Sequence, residues 1–92
     1  MGTFKIQYDL AKNAANRKKH KVSLAETEPV FYDDMALRFE DNDHEEERWV
    51  IMGKDALGRV LIVAYTYRDP DFVRIISARI ASPNEQRQYL EG

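Results

Sequence analysis

Three polar side chains recur at helical spacing near the start of the chain, and their types suit a phosphate ligand. Lys12, Asn16 and His20 are each four residues apart, which places them along one side of a helix with Lys19 close by. An ammonium group can bind a phosphate, and an imidazole can exchange a proton near neutral pH. This side of the helix therefore suits a phosphate and its ribose, although the same spacing is typical of a solvated basic face.

Two arginines near the end of the chain form a second candidate group. Arg74 and Arg79 flank an apolar stretch, and arginine is the preferred residue for bidentate contacts with phosphate. Their separation of five residues directs them to opposite faces of a regular strand. Both reach one phosphate only if the strand bends or if Arg79 lies at its end. Otherwise each is a surface arginine or pairs with an acid, and Arg74 is the better candidate for a catalytic cation.

Further candidates are an acid beside a base and several aromatic residues. Glu47 can act as a general base, although an exposed ion pair with Arg48 is the commoner arrangement. Tyr89 can stack on a base or bind a phosphate, but a helix tyrosine beside Leu90 more often packs. Three strand aromatics can also stack on bases, and packing in the sheet is again the safer interpretation: Trp49, Tyr65 and Tyr67.

The acidic stretch Asp41–Glu47 offers several oxygens and one imidazole but does not have the pattern of a metal site. It has no central glycine, which a calcium-binding loop of the EF-hand type requires. The chain has no cysteine, so thiolate sites and disulfides are excluded. We therefore predict no metal and no cofactor, and a solvated acidic loop that can face a basic partner.

The composition indicates one small domain spanning residues 1–92. The net charge of −2 conceals a strong segregation, with six basic residues against one acid in residues 1–21 and ten acids against one arginine in residues 22–47. A basic patch can therefore exist on an acidic protein. The longest apolar run, Val60–Tyr65, is too short to span a membrane, and no signal segment opens the chain, so we expect a soluble, cytoplasmic protein.

Caps and alternation predict the elements that must position these side chains. A short strand, Thr3–Tyr8, precedes a helix that Asp9 caps and that runs to about His20. Ser23–Glu26 is a capping box for a second short helix to about Phe31, which Pro29 can shorten or distort. Four strands, two turns and a loop follow: strands Met35–Glu40, Arg48–Gly53, Arg59–Tyr67 and Phe72–Ile80, loop Asp41–Glu46, and turns Asp55–Gly58 and Arg68–Asp71.

The last element is a helix whose start is the clearest cap in the sequence. Ser82 is the N-cap, Pro83 takes the first helical position and Glu85 completes the capping box, so a helix to about Leu90 is predicted. The order is β-α-α-β-β-β-β-α. The class is therefore α+β, with helices packed on an antiparallel sheet whose last three strands form a meander.

Several of these residues, in this order, resemble the pattern of the BrnT toxins. The resemblance spans nearly the whole chain and is carried by Asp9, Lys12, Asn16, Lys19-His20, Phe31, Asp33, Glu47-Arg48, Arg74–Arg79, Glu85 and Tyr89. Two positions depart from it. Tyr8 stands where the family often has Trp and keeps an aromatic anchor, whereas Lys21 replaces a glycine and leaves the end of the first helix open.

The resemblance implies a RelE-like fold, ribonuclease activity and a BrnA-type antitoxin that carries the DNA-binding part, so that DNA is contacted only through the antitoxin. With this resemblance, the first hypothesis is metal-independent cleavage of single-stranded mRNA by attack of the 2′-hydroxyl group. His20 and Glu47 then transfer protons, and Arg74 and Arg79 are the catalytic cations. The substrate-binding residues are Lys12, Asn16, Lys19, Arg48 and Tyr89.

Two other functions are compatible with the same sequence. A non-catalytic module could use the same fold and basic surface to hold RNA or a protein, and the low net basicity favours this alternative. A DNA-binding regulator has little support, because no helix-turn-helix or ribbon-helix-helix pattern is present. Cleavage of RNA without metal distinguishes the ribonuclease from the binding module.

Overall fold

The computed structural model describes residues 5–42, 47–69 and 72–92. The predicted starts and turns that fall on residues 1–4, 43–46 and 70–71 lie outside the described residues. In chain order the elements are β1 (Lys5–Gln7), α1 (Leu10–His20), a 3₁₀ segment (Leu24–Tyr32), β2 (Leu37–Asp41), β3 (Arg48–Lys54), β4 (Val60–Asp69), β5 (Phe72–Ile80) and α2 (Pro83–Glu91). The α+β class and the order of elements are as the sequence predicts.

The five strands form one sheet in the order β1-β5-β4-β3-β2. Strands β2 to β5 are antiparallel neighbours, which confirms the meander. β1 instead pairs in parallel with β5, so the sheet is mixed rather than purely antiparallel. This arrangement arises because α1 and the 3₁₀ segment carry the chain from β1 to the opposite edge, where β2 begins.

Helix α1 has the predicted boundaries. The Asp9 carboxylate accepts a hydrogen bond from the amide of Ala11, and the helix ends at Lys21, whose φ of 63° and ψ of 23° are left-handed. The amide of Lys21 donates to the carbonyl of Arg17 at 3.0 Å. Helix α1 therefore ends in a left-handed residue although that residue is lysine and not glycine, which costs roughly 1 kcal/mol of conformational free energy.

The second predicted helix is a 3₁₀ helix, and Pro29 explains the difference. Its capping box is complete, with Ser23 and Glu26 bonded reciprocally. Proline has no N–H group to donate to a carbonyl four residues earlier, so an α-helical ladder cannot continue through it. Strand β2 then starts two residues later than predicted, because Asp33 accepts hydrogen bonds from the amides of Met35 and Ala36 and forms a turn there.

The two faces of the sheet, which we call the inner and outer faces, are packed against different helices. The inner face carries the main core, where α1 and the 3₁₀ segment pack on buried sheet residues such as Ile51, Val63, Tyr65, Val73, Ile75 and Ala78. The outer face is covered at one end by α2, through a cluster of Met52, Val60, Ala81 and Tyr89. No described element covers the remainder, which we call the open half of the outer face. Within the described residues, no helix is long and apolar enough to span a membrane.

Candidate functional site

A β-bulge in β5 places both candidate arginines on the outer face. Ala64 pairs with Ser77 whereas the next residue, Tyr65, pairs with Ile75, so Ile76 is an extra residue in β5. Val73 and Ile75, the neighbours of Arg74, belong to the inner core, and so does Ala78, the neighbour of Arg79. Because adjacent strand residues point to opposite faces, both arginines lie on the outer face. The bulge therefore allows Arg74 and Arg79, which are five residues apart, to lie on the same face of the sheet.

A row of polar side chains crosses the open half of the outer face, and we call it the arginine row. Thr66 on β4 pairs with Arg74 on β5, and Arg48 on β3 lies on the other side of Thr66 because the next residue, Trp49, pairs with Tyr65. With strands about 4.8 Å apart, the backbones of the two arginines are about 10 Å apart, within reach of one phosphate for two such long side chains.

Both arginines of this row have a guanidinium nitrogen without a hydrogen-bond partner in the described part of the chain. The Nε atoms of Arg48 and Arg74 are buried and have no hydrogen-bond partner there. Arg74 is flanked in the ladder by the uncharged Thr66 and Gln7, while the cross-strand neighbour of Arg48 is Asp41. Arg74 thus combines an Nε atom that has no partner in the described part of the chain with uncharged ladder neighbours, and this arrangement suits an incoming anion.

Arg79 lies on the same face but is held by an acid of α2. Its Nη1 and Nη2 atoms donate to the two carboxylate oxygens of Glu85 at 2.7 and 2.8 Å. The same carboxylate accepts from the amide of Ser82 in the capping box. The hydrogen bonds from Arg79 lower the pKa of Glu85 to about 2 and the pKa of Arg79 rises correspondingly. Arg79 therefore fixes α2 on the sheet at the margin of the open half.

Glu47 lies beside the arginine row. Its carbonyl oxygen accepts a hydrogen bond from the hydroxyl of Thr66 at 2.9 Å, and its side chain is exposed. Asp41, the ladder partner of Arg48, supplies a carboxylate on the same face as the row.

Asn16 has a structural role rather than a ligand-binding one. Its side chain is 6% exposed, and its amide nitrogen donates to the carbonyls of Val22 and Ala78, both at 2.8 Å. Its amide oxygen accepts from the amide of Ala78 at 3.1 Å. The side chain therefore bonds the edge of β5 beyond the short β1 strand, and both of its N–H donors are used. We remove Asn16 from the substrate-binding set for this reason.

The remaining α1 candidates do not join the arginines in one groove. Lys12 and Lys19 are exposed, and His20 is half-buried at the end of the helix. Helix α1 contacts β5 and the 3₁₀ segment, which lies on the inner face, whereas Arg74 faces outward. No described hydrogen bond or ion pair links His20 to either arginine. The single groove expected from the sequence is therefore not formed by these contacts.

Tyr89 is a packing residue, so its ring is not free to stack on a base. It is 4% exposed, packs in the cluster under α2, and donates its hydroxyl hydrogen to the carboxylate of Asp33 at 2.5 Å. Burial, together with this bond, raises the pKa of Tyr89 to about 12. The ammonium group of Lys54 lies 6.0 Å from its ring centre.

The three strand aromatics lie on the inner face, where Tyr65 and Trp49 pack in the core and Tyr67 remains 46% exposed. Tyr65 is fully buried and contacts Phe31 and Tyr67 edge to face, and Trp49 contacts Tyr67 in the same way. Burial and the contact with Tyr67 raise the pKa of Tyr65 to about 12. Most of the acidic stretch lies outside the described residues, and within the described ones no three potential ligands cluster as a metal site would require.

Sequence reasoning missed the uncharged parts of the open half. Thr66 lies between the two arginines, Ala64 and Ser77 form a neighbouring pair of small residues, and Phe39 is exposed at the β2 end. The alternation of Leu37 and Phe39 against Arg38 and Glu40 marks one face of β2, but it does not tell which face lies against the core.

Comparisons with known proteins agree with this architecture. The sequence model of the family described as the ribonuclease toxin BrnT of type II toxin–antitoxin systems matches residues 8–85. Among solved structures, the chain is similar to the crystal structure of the Brucella abortus ribonuclease toxin BrnT, with 25% identity and a TM-score of 0.72 over 87% of this chain and 99% of that chain. A comparison with curated proteins found no match.

Proposed function

The chain belongs to the BrnT family of ribonuclease toxins of type II toxin–antitoxin systems, and we propose that it is a metal-independent endoribonuclease whose active site is the arginine row. The substrate is single-stranded mRNA, and its cleavage arrests translation. A BrnA-type antitoxin neutralises the enzyme in the cytoplasm and supplies any contact with DNA.

Arg48 and Arg74 on the open half of the outer face carry this proposal, because their Nε atoms have no hydrogen-bond partner in the described part of the chain. When a 2′-hydroxyl group attacks the adjacent phosphorus, negative charge builds up on the phosphate oxygens. Cations fixed in position before the reaction stabilise that charge better than water does. Arg74 is the principal cation, because its neighbours in the ladder are uncharged.

Glu47 is the proposed base that accepts the proton of the attacking hydroxyl, because its backbone carbonyl is bonded to Thr66 in the middle of the row and it is an exposed carboxylic acid. The bond to the 5′-oxygen then breaks, leaving a 2′,3′-cyclic phosphate and a 5′-hydroxyl. Solvent protonates the leaving oxygen in this scheme, since α1 and His20 pack on the side of the inner face.

The decisive experiment is cleavage of single-stranded RNA by the purified chain in EDTA, with analysis of the product ends. We expect cyclic phosphate ends in the absence of metal. Arg74→Ala should lower kcat/KM by about 100- to 1000-fold, as loss of one transition-state donor does elsewhere, and Arg74→Lys should retain part of the rate. Arg87→Ala, at an exposed position of α2, is the matched control and should leave the rate unchanged.

Two results would contradict the proposal. Full activity of Arg74→Ala would place the active site elsewhere on the molecule. RNA binding without cleavage, both with and without ribosomes, would instead identify a non-catalytic RNA-binding module.

A further inference from the structure

An exposed phenylalanine lies on the open half of the outer face, where no described element covers it. Phe39 is 41% exposed and pairs across the ladder with Val50, which in turn pairs with Ala64. The outward direction of its ring follows from Leu37, two residues earlier, which packs in the cluster under α2. The ring therefore lies beside the small side chains of Val50 and Ala64, two residues along the strands from the arginine row.

A second phenylalanine lies on the same face at the other end of the row. Phe72 precedes Arg74 by two residues in β5 and so shares its face. Its partner in the parallel ladder is Lys5, whose ammonium group is 5.7 Å from the ring centre. Phe72 is therefore an aromatic position with a cation beside it.

The two rings lie on opposite sides of the arginine row, along a diagonal of the sheet. Phe39 and Phe72 are separated by three strand spacings and about four residues along the strands. With about 4.8 Å between strands and about 3.3 Å per residue, this diagonal is about 20 Å long. Cations lie between its ends, so phosphates and bases of one extended strand can be contacted in alternation.

We propose that Phe39 and Phe72 are the base-stacking positions of this enzyme, one on each side of the scissile phosphate. The inference rests on the proposed function of the arginine row. Aromatic rings interleaved with cations are the recurrent means of holding single-stranded nucleic acid, because every base offers a face for stacking. The three cations Lys5, Arg48 and Arg74 outnumber Asp41 and the proposed base Glu47, which favours a polyanion over an acidic protein surface.

Binding of RNA that carries 2′-O-methyl groups, and so cannot be cleaved, tests the proposal. Phe39→Ala should weaken binding by about 5- to 100-fold, whereas Phe39→Trp should restore it. An abasic nucleotide is then placed at each position in turn. At the nucleotide that stacks on Phe39, the abasic substitution should weaken binding to the wild-type protein but should not weaken binding to the Phe39→Ala variant further. Phe72→Ala should show the same pattern at a different nucleotide. Leu57→Ala, 72% exposed in the turn between β3 and β4, is the control and should bind normally.

Equal abasic penalties in the wild-type and variant proteins would overturn the stacking role. So would a Phe39→Ala variant that binds every RNA normally but no longer associates with its co-expressed antitoxin, because the ring would then be a protein contact. Arg74→Ala is measured alongside. If it alone loses binding, only the stacking proposal fails; if Arg74→Ala, Phe39→Ala and Phe72→Ala all bind normally, this face is not the RNA site and the proposed function fails with it.

Discussion

Four arginines in or next to the sheet have different functions because their partners differ. Arg59 and Arg79 each form ion pairs with carboxylates. These pairs stabilise the turn that begins at Asp55 and the position of helix α2. Arg48 and Arg74 have buried Nε atoms without partners in the described part of the chain. This difference in partners favours Arg48 and Arg74 over Arg59 and Arg79 as ligands for an anion.

The same reasoning predicts that His20 is dispensable for catalysis. His20→Gln should cleave single-stranded RNA within a factor of about three of the wild-type rate, because α1 packs on the side of the inner face and the arginines face outward. The measurement is kcat/KM under the same conditions as for Arg74→Ala. A loss comparable to that of Arg74→Ala in a protein with wild-type thermal stability would restore the histidine to the mechanism.

At the scale of the element, β5 depends on a side chain from a distant helix. β1 pairs with only three residues of β5, and further along this edge the amide group of Asn16 binds the backbone of Ala78 through both its nitrogen and its oxygen. This bond lies next to Arg79 and close to the bulge at Ile76. Asn16 thus stabilises the part of β5 that follows the bulge and carries Arg79.

Replacing this amide should destabilise the fold. Asn16→Ala leaves the backbone groups of Ala78 and Val22 buried without partners, and we expect the free energy of unfolding to fall by about 2–4 kcal/mol. Urea denaturation measures the change. Asn84→Ala, at an exposed position of α2, should change it by no more than about 0.5 kcal/mol. Equal stability of the two variants would show that the contact adds little.

The Glu85–Arg79 pair makes the attachment of α2 sensitive to acid. The pKa of Glu85 is lowered from 4.5 to about 2, so its stabilisation is complete above pH 4.5 and is lost as the pH falls through 2. Glu85→Gln should be about 1–2 kcal/mol less stable at pH 7, since the pair is partly exposed. The two stability curves should converge near pH 2, whereas Glu91→Gln should follow the wild type. Parallel curves for wild type and Glu85→Gln would contradict this role.

Local signals predicted most elements but not the contacts between distant ones. Caps and alternation define the limits of α1 and of Phe72–Ile80, because those signals lie within a few neighbouring residues. The bulge at Ile76 has no glycine or proline to mark it, and the bond between Asn16 and Ala78 joins residues 62 apart. The parallel pairing of β1 is equally non-local. The resemblance therefore supplied candidate residues, while the register of the sheet decided which of them share a face.

Over the whole molecule, the basic residues are divided between two surfaces. The net charge is −2, yet the lysines of α1 lie on one side of the sheet and the arginine row on the other. A polyanion responds to local potential within roughly 8–10 Å at physiological salt, so an acidic total charge does not prevent RNA binding at one face. The α1 lysines and the arginine row are therefore two alternative RNA-binding surfaces, and equilibrium binding measurements can distinguish them.

The salt dependence of RNA binding shows which surface is used. For single-stranded RNA, each phosphate that a cation neutralises contributes about −0.7 to the slope of log K against log salt concentration. With two to four contacts at the outer face, the wild-type slope should be about −1.4 to −2.8, and Arg74→Ala should make it shallower by about 0.7. The double variant Lys12→Ala/Lys19→Ala should leave the slope unchanged, because both lysines are on α1. The reverse result, a shallower slope only in the lysine variant, would move the RNA to α1 and return the phosphate site to the position that helical spacing alone suggests.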